Sequence, residues 1–363
     1  MDAHVQTRSS ELRNVLRATL DRVAVLAERH GFMDHAGAQA ADRVLHVARA
    51  VLNGLYGNHL AARGNALALN MCLRWQGREL PLTRQAMQRA YPDATARIAV
   101  FTHGLSCSEH IWTTGAERYY GDTNVSFGSR LQHDLGFTPL YLLYNSGHHI
   151  SENGEALAKL IEQLLDVYPC PVEEVLLIGH SMGGLVSRSA AHYAHQASLR
   201  WSQRLKHVVC LGTPHLGAPL EQGVHWLSVL LKTFPWLGAE LPVAFLDARS
   251  AGIKDLRYGY TVHEEWHGRD PDRDRSARRM EIAPVAGVAY HYLAATITQD
   301  TAHPAGVILG DVVVRLPSAL GRTTDSARQS HFQSGKVIGG MHHFSLVNHP
   351  DVYAAMLELL ACS

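Results

Sequence analysis

Residues 175–190, Val-Leu-Leu-Ile-Gly-His-Ser-Met-Gly-Gly-Leu-Val-Ser-Arg-Ser-Ala, constrain the fold of this chain more than any other stretch. The four apolar residues 175–178 read as a short buried strand, and the residues from 183 onward read as a helix. Between them stands Gly179-His180-Ser181-Met182-Gly183, a G-x-S-x-G turn. A strand that enters a helix through so tight a turn brings the two backbones close together. Small residues are then needed on either side, and Ser181 is held exposed at the tip. Three fixed positions would match by accident in roughly one chain in ten of this length. The strand-turn-helix context is what makes the match informative.

From about residue 66 the same alternation continues along the chain. Short apolar runs at 98–102, 140–144, 175–178, 207–211, 288–297 and 336–338 predict strands, and 153–165, 183–195 and 352–360 predict helices. Strands alternating with helices predict an α/β fold with a mostly parallel central sheet. Residues 1–62 differ. Leu12, Val15, Leu16, Val23 and Leu26, and then Val44, Leu45, Val47, Val51, Leu52 and Leu55, recur at helical spacing on either side of a break at 31–37. They predict an N-terminal helical extension that packs on the main domain at 63–363, with a dimer contact as the other use of its apolar face. Over 220–284 the alternation fails. Trp226, Leu227, Val229, Leu230, Leu231, Phe234, Trp236 and Leu237 make an apolar stretch, and a charged run follows at 268–279. An insertion after a central strand predicts a cap or lid over the strands' C-terminal ends.

Composition narrows the function classes. Lys plus Arg and Asp plus Glu are both 33, for a net charge of zero, which favours neither nucleic acid nor a strongly anionic surface as partner. The five cysteines, Cys72, Cys107, Cys170, Cys210 and Cys362, are odd in number and lack C-x-x-C spacing, so reduced thiols in a cytoplasmic setting are expected. Arg8, Arg13, Arg17, Arg22 and Arg29 interrupt the first thirty residues, which therefore lack the apolar core of a secretory signal. No run reaches the roughly 18 apolar residues of a membrane-spanning helix, so no integral membrane segment is expected.

An attacking serine needs a proton acceptor, and its tetrahedral intermediate needs donors aimed at the oxyanion. Met182 follows Ser181 at the start of the helix, so its N–H is one expected donor. The His103-Gly104-Leu105 turn directly after the 98–102 run offers the second, the Leu105 N–H, with His103 shaping that loop rather than acting as base. Where a nucleophile sits on such an elbow the chain order is Ser, acid, His. The late histidines His342 and His343 are then the candidate bases. Asp311, in Gly-Asp-Val-Val-Val, is the expected acid in preference to Asp300, whose Thr-Gln-Asp-Thr setting reads as an ordinary turn. A metal site on the adjacent His148 and His149 has no recognisable ligand spacing.

Several segments taken together resemble bacterial α/β hydrolases of the lipase and esterase family, near the inositol-deacylase-like group. They are LNGLYGNHLAARGNAL from Leu52, FTHGLSCSEHIW from Phe101, PLYLLYNSGHHISENG from Pro139, GHSMGGLVSRSA from Gly179, LGTPHLGAPLEQG from Leu211, RSAGIKDLRYG from Arg249, GDVVVRLPSALG from Gly310 and HHFSLVNHPDVY from His342. The resemblance implies an α/β-hydrolase fold and a serine hydrolase acting on carboxylic esters through a Ser181, Asp311, His343 triad. His343 is chosen over His342 because the family's histidine precedes an apolar residue, here Phe344, with Leu346 two further on. Val312 stands where the family often has glycine. Ser345 stands where some related lipases hold a calcium-binding aspartate, so no calcium is expected there; no other metal and no cofactor is implied. The implied partner is a small-molecule or lipid ester. An acyltransferase or thioesterase with the same triad, and a catalytically silent binding protein on this fold, are the alternatives. Oligomeric state is not implied by the resemblance.

Overall fold

The computed structural model describes residues 35–218, 250–268, 280, 282–324 and 329–361. Eight strands form one sheet: β1 (Cys72–Trp75), β2 (Arg78–Leu80), β3 (Arg97–Thr102), β4 (Thr138–Leu143), β5 (Glu174–His180), β6 (Leu205–Leu211), β7 (Ala289–Thr296) and β8 (Ser334–Gly339). Their order is β2-β1-β4-β3-β5-β6-β7-β8, with β1 antiparallel to both neighbours and every other pairing parallel. The flanking helices are α1 (His35–Ala62), α2 (Arg84–Ala90), α3 (Ala116–Tyr120), α4 (Phe127–Leu135), α5 (Ile150–Val167), α6 (Met182–Gln196), α7 (Ala251–Tyr258), α8 (His263–Trp266), α9 (Pro304–Leu309), α10 (Leu316–Ala319) and α11 (Pro350–Ala361). This is an α/β-hydrolase fold.

The six strands expected from the apolar runs are all present, each within a few residues of its predicted ends. The hairpin β1–β2 was not expected, because its Cys-Leu-Arg-Trp and Arg-Glu-Leu carry too few apolar residues to stand out. Central strands are buried on both faces: residues 175–180 of β5 are all buried, as are 207–211 of β6. Strands covered by helices on both sides lose the alternation of a half-exposed sheet, which is why they read as unbroken apolar runs.

The strand order reverses between β3 and β5. From β3 the chain moves outward to β4, then returns to pair β5 on the other edge of β3. In open α/β sheets the crevice beyond the strands' C-terminal ends at such a reversal is where sites form. The register sets Thr102 of β3 opposite Gly179 of β5 and His180 of β5 opposite Leu211 of β6. The loop after β3, the turn after β5 and the loop after β6 therefore emerge side by side.

Helix α1 contributes Val47, Val51 and Leu55 to the same core as the sheet. Two glycines let it approach the crevice. A Cβ on Gly54 would lie 1.9 Å from Ser106 Oγ, and one on Gly57 would lie 1.7 Å from Asn145 Oδ1. The first predicted N-terminal helix and the apolar 226–237 stretch lie outside the described residues, as does most of the charged run after it. Of the predicted insertion, the described part comprises α7, α8 and the segment leading into β7. No helix among the described residues is long and apolar enough to cross a membrane.

Candidate active site

Ser181 occupies the turn between β5 and α6 with φ 54° and ψ −124°. Positive φ is sparsely populated for a residue with a Cβ, and such outliers persist only where the surroundings impose them. Here they do. The Ser181 N–H donates to Leu211 O at 2.8 Å, and a Cβ on Gly183 would lie 2.1 Å from Thr102 O. Helix α6 thus crosses so close to the end of β3 that Gly183 has no room for a side chain. At its start the first N–H groups have no intrahelical acceptor. The Met182 N–H is one of them, and it has no hydrogen-bond partner among the described residues.

The structure brings Asp311 and His343 together from 32 residues apart, with His343 Nδ1 at 2.7 Å from Asp311 Oδ2 and both side chains 1% exposed. A carboxylate only accepts, so Nδ1 carries the proton and donates it. The other carboxylate oxygen, Oδ1, accepts from the N–H groups of Val313 at 3.0 Å and Val314 at 2.8 Å. His343 also donates its backbone N–H to Asp311 O at 3.2 Å. Its Nε2 is buried and has no hydrogen-bond partner among the described residues. His342 is exposed, and Asp300 sits on an exposed turn with Oδ1 accepting from Ala302 N.

His343 lies against the Ser181 turn through two bridges. His180, the residue before the serine, donates Nε2–H to His343 O at 3.2 Å, and the two rings stand 4.5 Å apart. Gly212, which follows the Leu211 carbonyl held by Ser181, is close enough that an added Cβ would lie 3.1 Å from His343 Nδ1 and 3.2 Å from Asp311 Oδ2. Burial, and secondarily the neighbouring His343, holds the His180 imidazole well below its ordinary range and so neutral.

The loop after β3 closes over the serine. A Cβ on Gly104 would be 3.1 Å from Ser181 Cβ. His103 is fully buried: its Nδ1 donates to Gly104 O at 2.8 Å, its ring stacks on Tyr144 at 4.3 Å, and burial pushes its pKa down to about 4. It therefore stays neutral and shapes the loop. The Leu105 N–H has no hydrogen-bond partner among the described residues. Ser106, at φ 56°, donates its N–H to Ser146 Oγ at 2.9 Å, which ties this loop to the one after β4.

Val312, the residue after Asp311, sits at φ 83°. A β-branched residue there is a genuine backbone outlier, and it lies beside the Asp311 carboxylate.

Sequence reasoning missed a second His–Asp pair. Asp255 of α7 is fully buried and accepts from His149 Nδ1 at 3.0 Å and from Ile150 N at 2.8 Å. His149 stacks on Trp266 with ring centroids 3.4 Å apart. His148 pairs with Glu152 at 3.3 Å. Segments 139–154 and 249–259 had stood out without a role. The signal that could have joined them was Asp255, the one carboxylate of 249–259, which once buried needs a donor.

Fold and site together give an α/β-hydrolase fold with Ser181 on the tight turn between β5 and α6. Residues 141–270, less than half of the chain, match the family model described as the PGAP1-like alpha/beta domain. No sequence among curated proteins matches the chain. Among solved structures it is similar to the lipase BlEst2 of Bacillus licheniformis in mature form, at 20% identity over 73% of this chain and 91% of that one, TM-score 0.45. It is also similar to the RedJ thioesterase of Streptomyces coelicolor, at 16% identity over 74% and 91%, TM-score 0.39. A third likeness is to the naproxen esterase of Bacillus subtilis, at 13% identity over 75% and 84%, TM-score 0.39.

Proposed function

We propose that this chain is a serine hydrolase that cleaves carboxylic esters through an acyl-enzyme, with Ser181, His343 and Asp311 as its triad. The observation that carries the reading is the buried His343–Asp311 pair, whose Nε2 is left without a partner beside a serine held at positive φ. In this mechanism His343 Nε2 takes the Ser181 hydroxyl proton as the oxygen attacks the ester carbonyl. Asp311 keeps the tautomer with Nδ1 protonated and offsets the charge of the imidazolium that forms. The N–H groups of Leu105 and Met182 receive the oxyanion, and the imidazolium returns its proton to the departing alcohol. Water, activated by the same histidine, then releases the acyl group.

The substrate is a small-molecule or lipid ester, and neither a cofactor nor nucleic acid takes part. A cytoplasmic setting belongs to the same reading and is supported by the free thiols of Cys72, Cys107, Cys170 and Cys210. An acyltransferase or thioesterase would use the same groups and differ in the acceptor or the leaving atom.

The test is hydrolysis of p-nitrophenyl esters from acetate to palmitate by the wild-type protein and Ser181→Ala in parallel. Turnover should fall by at least about a thousandfold in the variant. A purified Ser181→Ala that keeps most of the activity would remove Ser181 from the mechanism, and the chain-length profile separates esterase from lipase.

A further inference from the structure

Away from Ser181, helix α1 and the 3-10 turn Glu109–Thr113 after β3 bring three metal-ligating side chains to one place. His46 Nε2 is 2.9 Å from Glu109 Oε2, and His110 Nε2 is 4.0 Å from Glu109 Oε1. One ligand atom from each of the three lies within 4.8 Å of the other two. The imidazole rings of His46 and His110 meet edge to face, 5.4 Å between centroids. None of these residues has a part in the ester chemistry.

We propose that His46, Glu109 and His110 form a site for a divalent first-row transition metal with the ligand preference of zinc, joining α1 to the loop that carries Leu105. Two imidazole nitrogens and one carboxylate oxygen are the donor set of three-ligand zinc sites, which keep a water in the fourth position. Metal–ligand bonds of about 2.0–2.1 Å in a tetrahedron put ligand atoms about 3.4 Å apart. The His46–Glu109 separation is already shorter than that, so only His110 has to move inward. The site is reachable: the His46 side chain is 14% exposed and that of His110 24%, against 8% for Glu109.

Arg74 decides how the carboxylate is used. Its Nε donates to Glu109 Oε1 at 2.8 Å and leaves Oε2 turned toward His46. An outer partner of this kind orients a ligating carboxylate. Its positive charge also opposes the ion and weakens the site. Without an ion, Glu109 remains held by His46 and Arg74.

The test uses the tag-free, chelator-treated protein and Co2+ as probe, with Zn2+ as competitor. Expected are a visible absorption band of a four-coordinate nitrogen and oxygen site that saturates near a single equivalent, displacement of that band by Zn2+, and a higher melting temperature with Zn2+. His46→Gln and His110→Gln should each weaken Co2+ binding by at least about tenfold, while Ser181→Ala binds as the wild type does. Since the His110 side chain makes no hydrogen bond among the described residues, and only its carbonyl accepts from Thr113 Oγ1, its variant tests the site without breaking the His46–Glu109–Arg74 cluster. Absence of the band in the wild type, or a band unchanged in both histidine variants, overturns the site. These readouts do not depend on ester hydrolysis, so the proposed activity and the metal site stand or fall separately.

Discussion

Replacing Asp311 with asparagine isolates what the carboxylate does, because the structure dictates how the amide would sit. Asp311 Oδ1 accepts from both Val313 N and Val314 N. An amide NH2 group cannot face those two donors, so the asparagine oxygen must take that position and its NH2 must face His343 Nδ1, where Asp311 Oδ2 stands at 2.7 Å. A donor opposite Nδ1 reverses the imidazole tautomer. Nε2 then carries the proton and cannot accept one from Ser181. Loss of the correct tautomer is worth about 10^4 in kcat, or about 5 kcal/mol of transition-state stabilisation. The assay is p-nitrophenyl butyrate hydrolysis by Asp311→Asn at saturating substrate, with thermal unfolding to show that the fold is retained. Because the two backbone bonds to Oδ1 survive, melting should change little while kcat collapses. A folded variant within about tenfold of wild-type kcat would refute the reasoning, and Asp311 would not be the group that orients His343.

Two further outcomes are expected from the same geometry. Burial holds His103 and His291 at about 4, the latter also depressed by His207, and holds His180 well below its ordinary range. The unfolded chain takes up these protons near pH 6.5 while the folded one does not, so stability is full above about 6.5 and is lost as pH falls toward 4. His103 alone contributes a loss of roughly 2 kcal/mol by pH 5. A melting temperature that stays level or rises between pH 7 and pH 5 would contradict this. Gly54→Ala should cost roughly 1–3 kcal/mol by overpacking, because its Cβ would lie 2.8 Å from Ser106 Cα in the loop that carries Leu105; kcat should fall with KM little changed. Gly64→Ala, with nothing within 4 Å of its Cβ, is the control and should leave kcat unaltered.

The residues around Ser181 were legible because local physics and local sequence coincide there. Small residues at 179 and 183 are demanded by a turn only a few residues long, and strands buried on both faces announce themselves as apolar runs. Asp311 was expected as the acid on its Gly-Asp-Val-Val-Val setting, although Asp300 lies nearer the strand predicted over 288–297. The choice between His342 and His343 was open until a family pattern was brought in, because adjacent residues share almost every sequence property. In the structure one is exposed and the other lies against Asp311. The β1–β2 hairpin stayed hidden because an edge pair needs few apolar residues.

Fold class, the position of the tight turn and the side chains from which a site could be built are all written in the amino-acid sequence. Each depends on residues near one another along the chain, where periodicity and turn chemistry act. Which distant groups meet is a matter of the folded chain: Asp311 with His343, Asp255 with His149, and His46 with Glu109 across 63 residues. Those pairings follow from strand order and register, which arise from burying the whole sheet at once and leave no mark on any single segment.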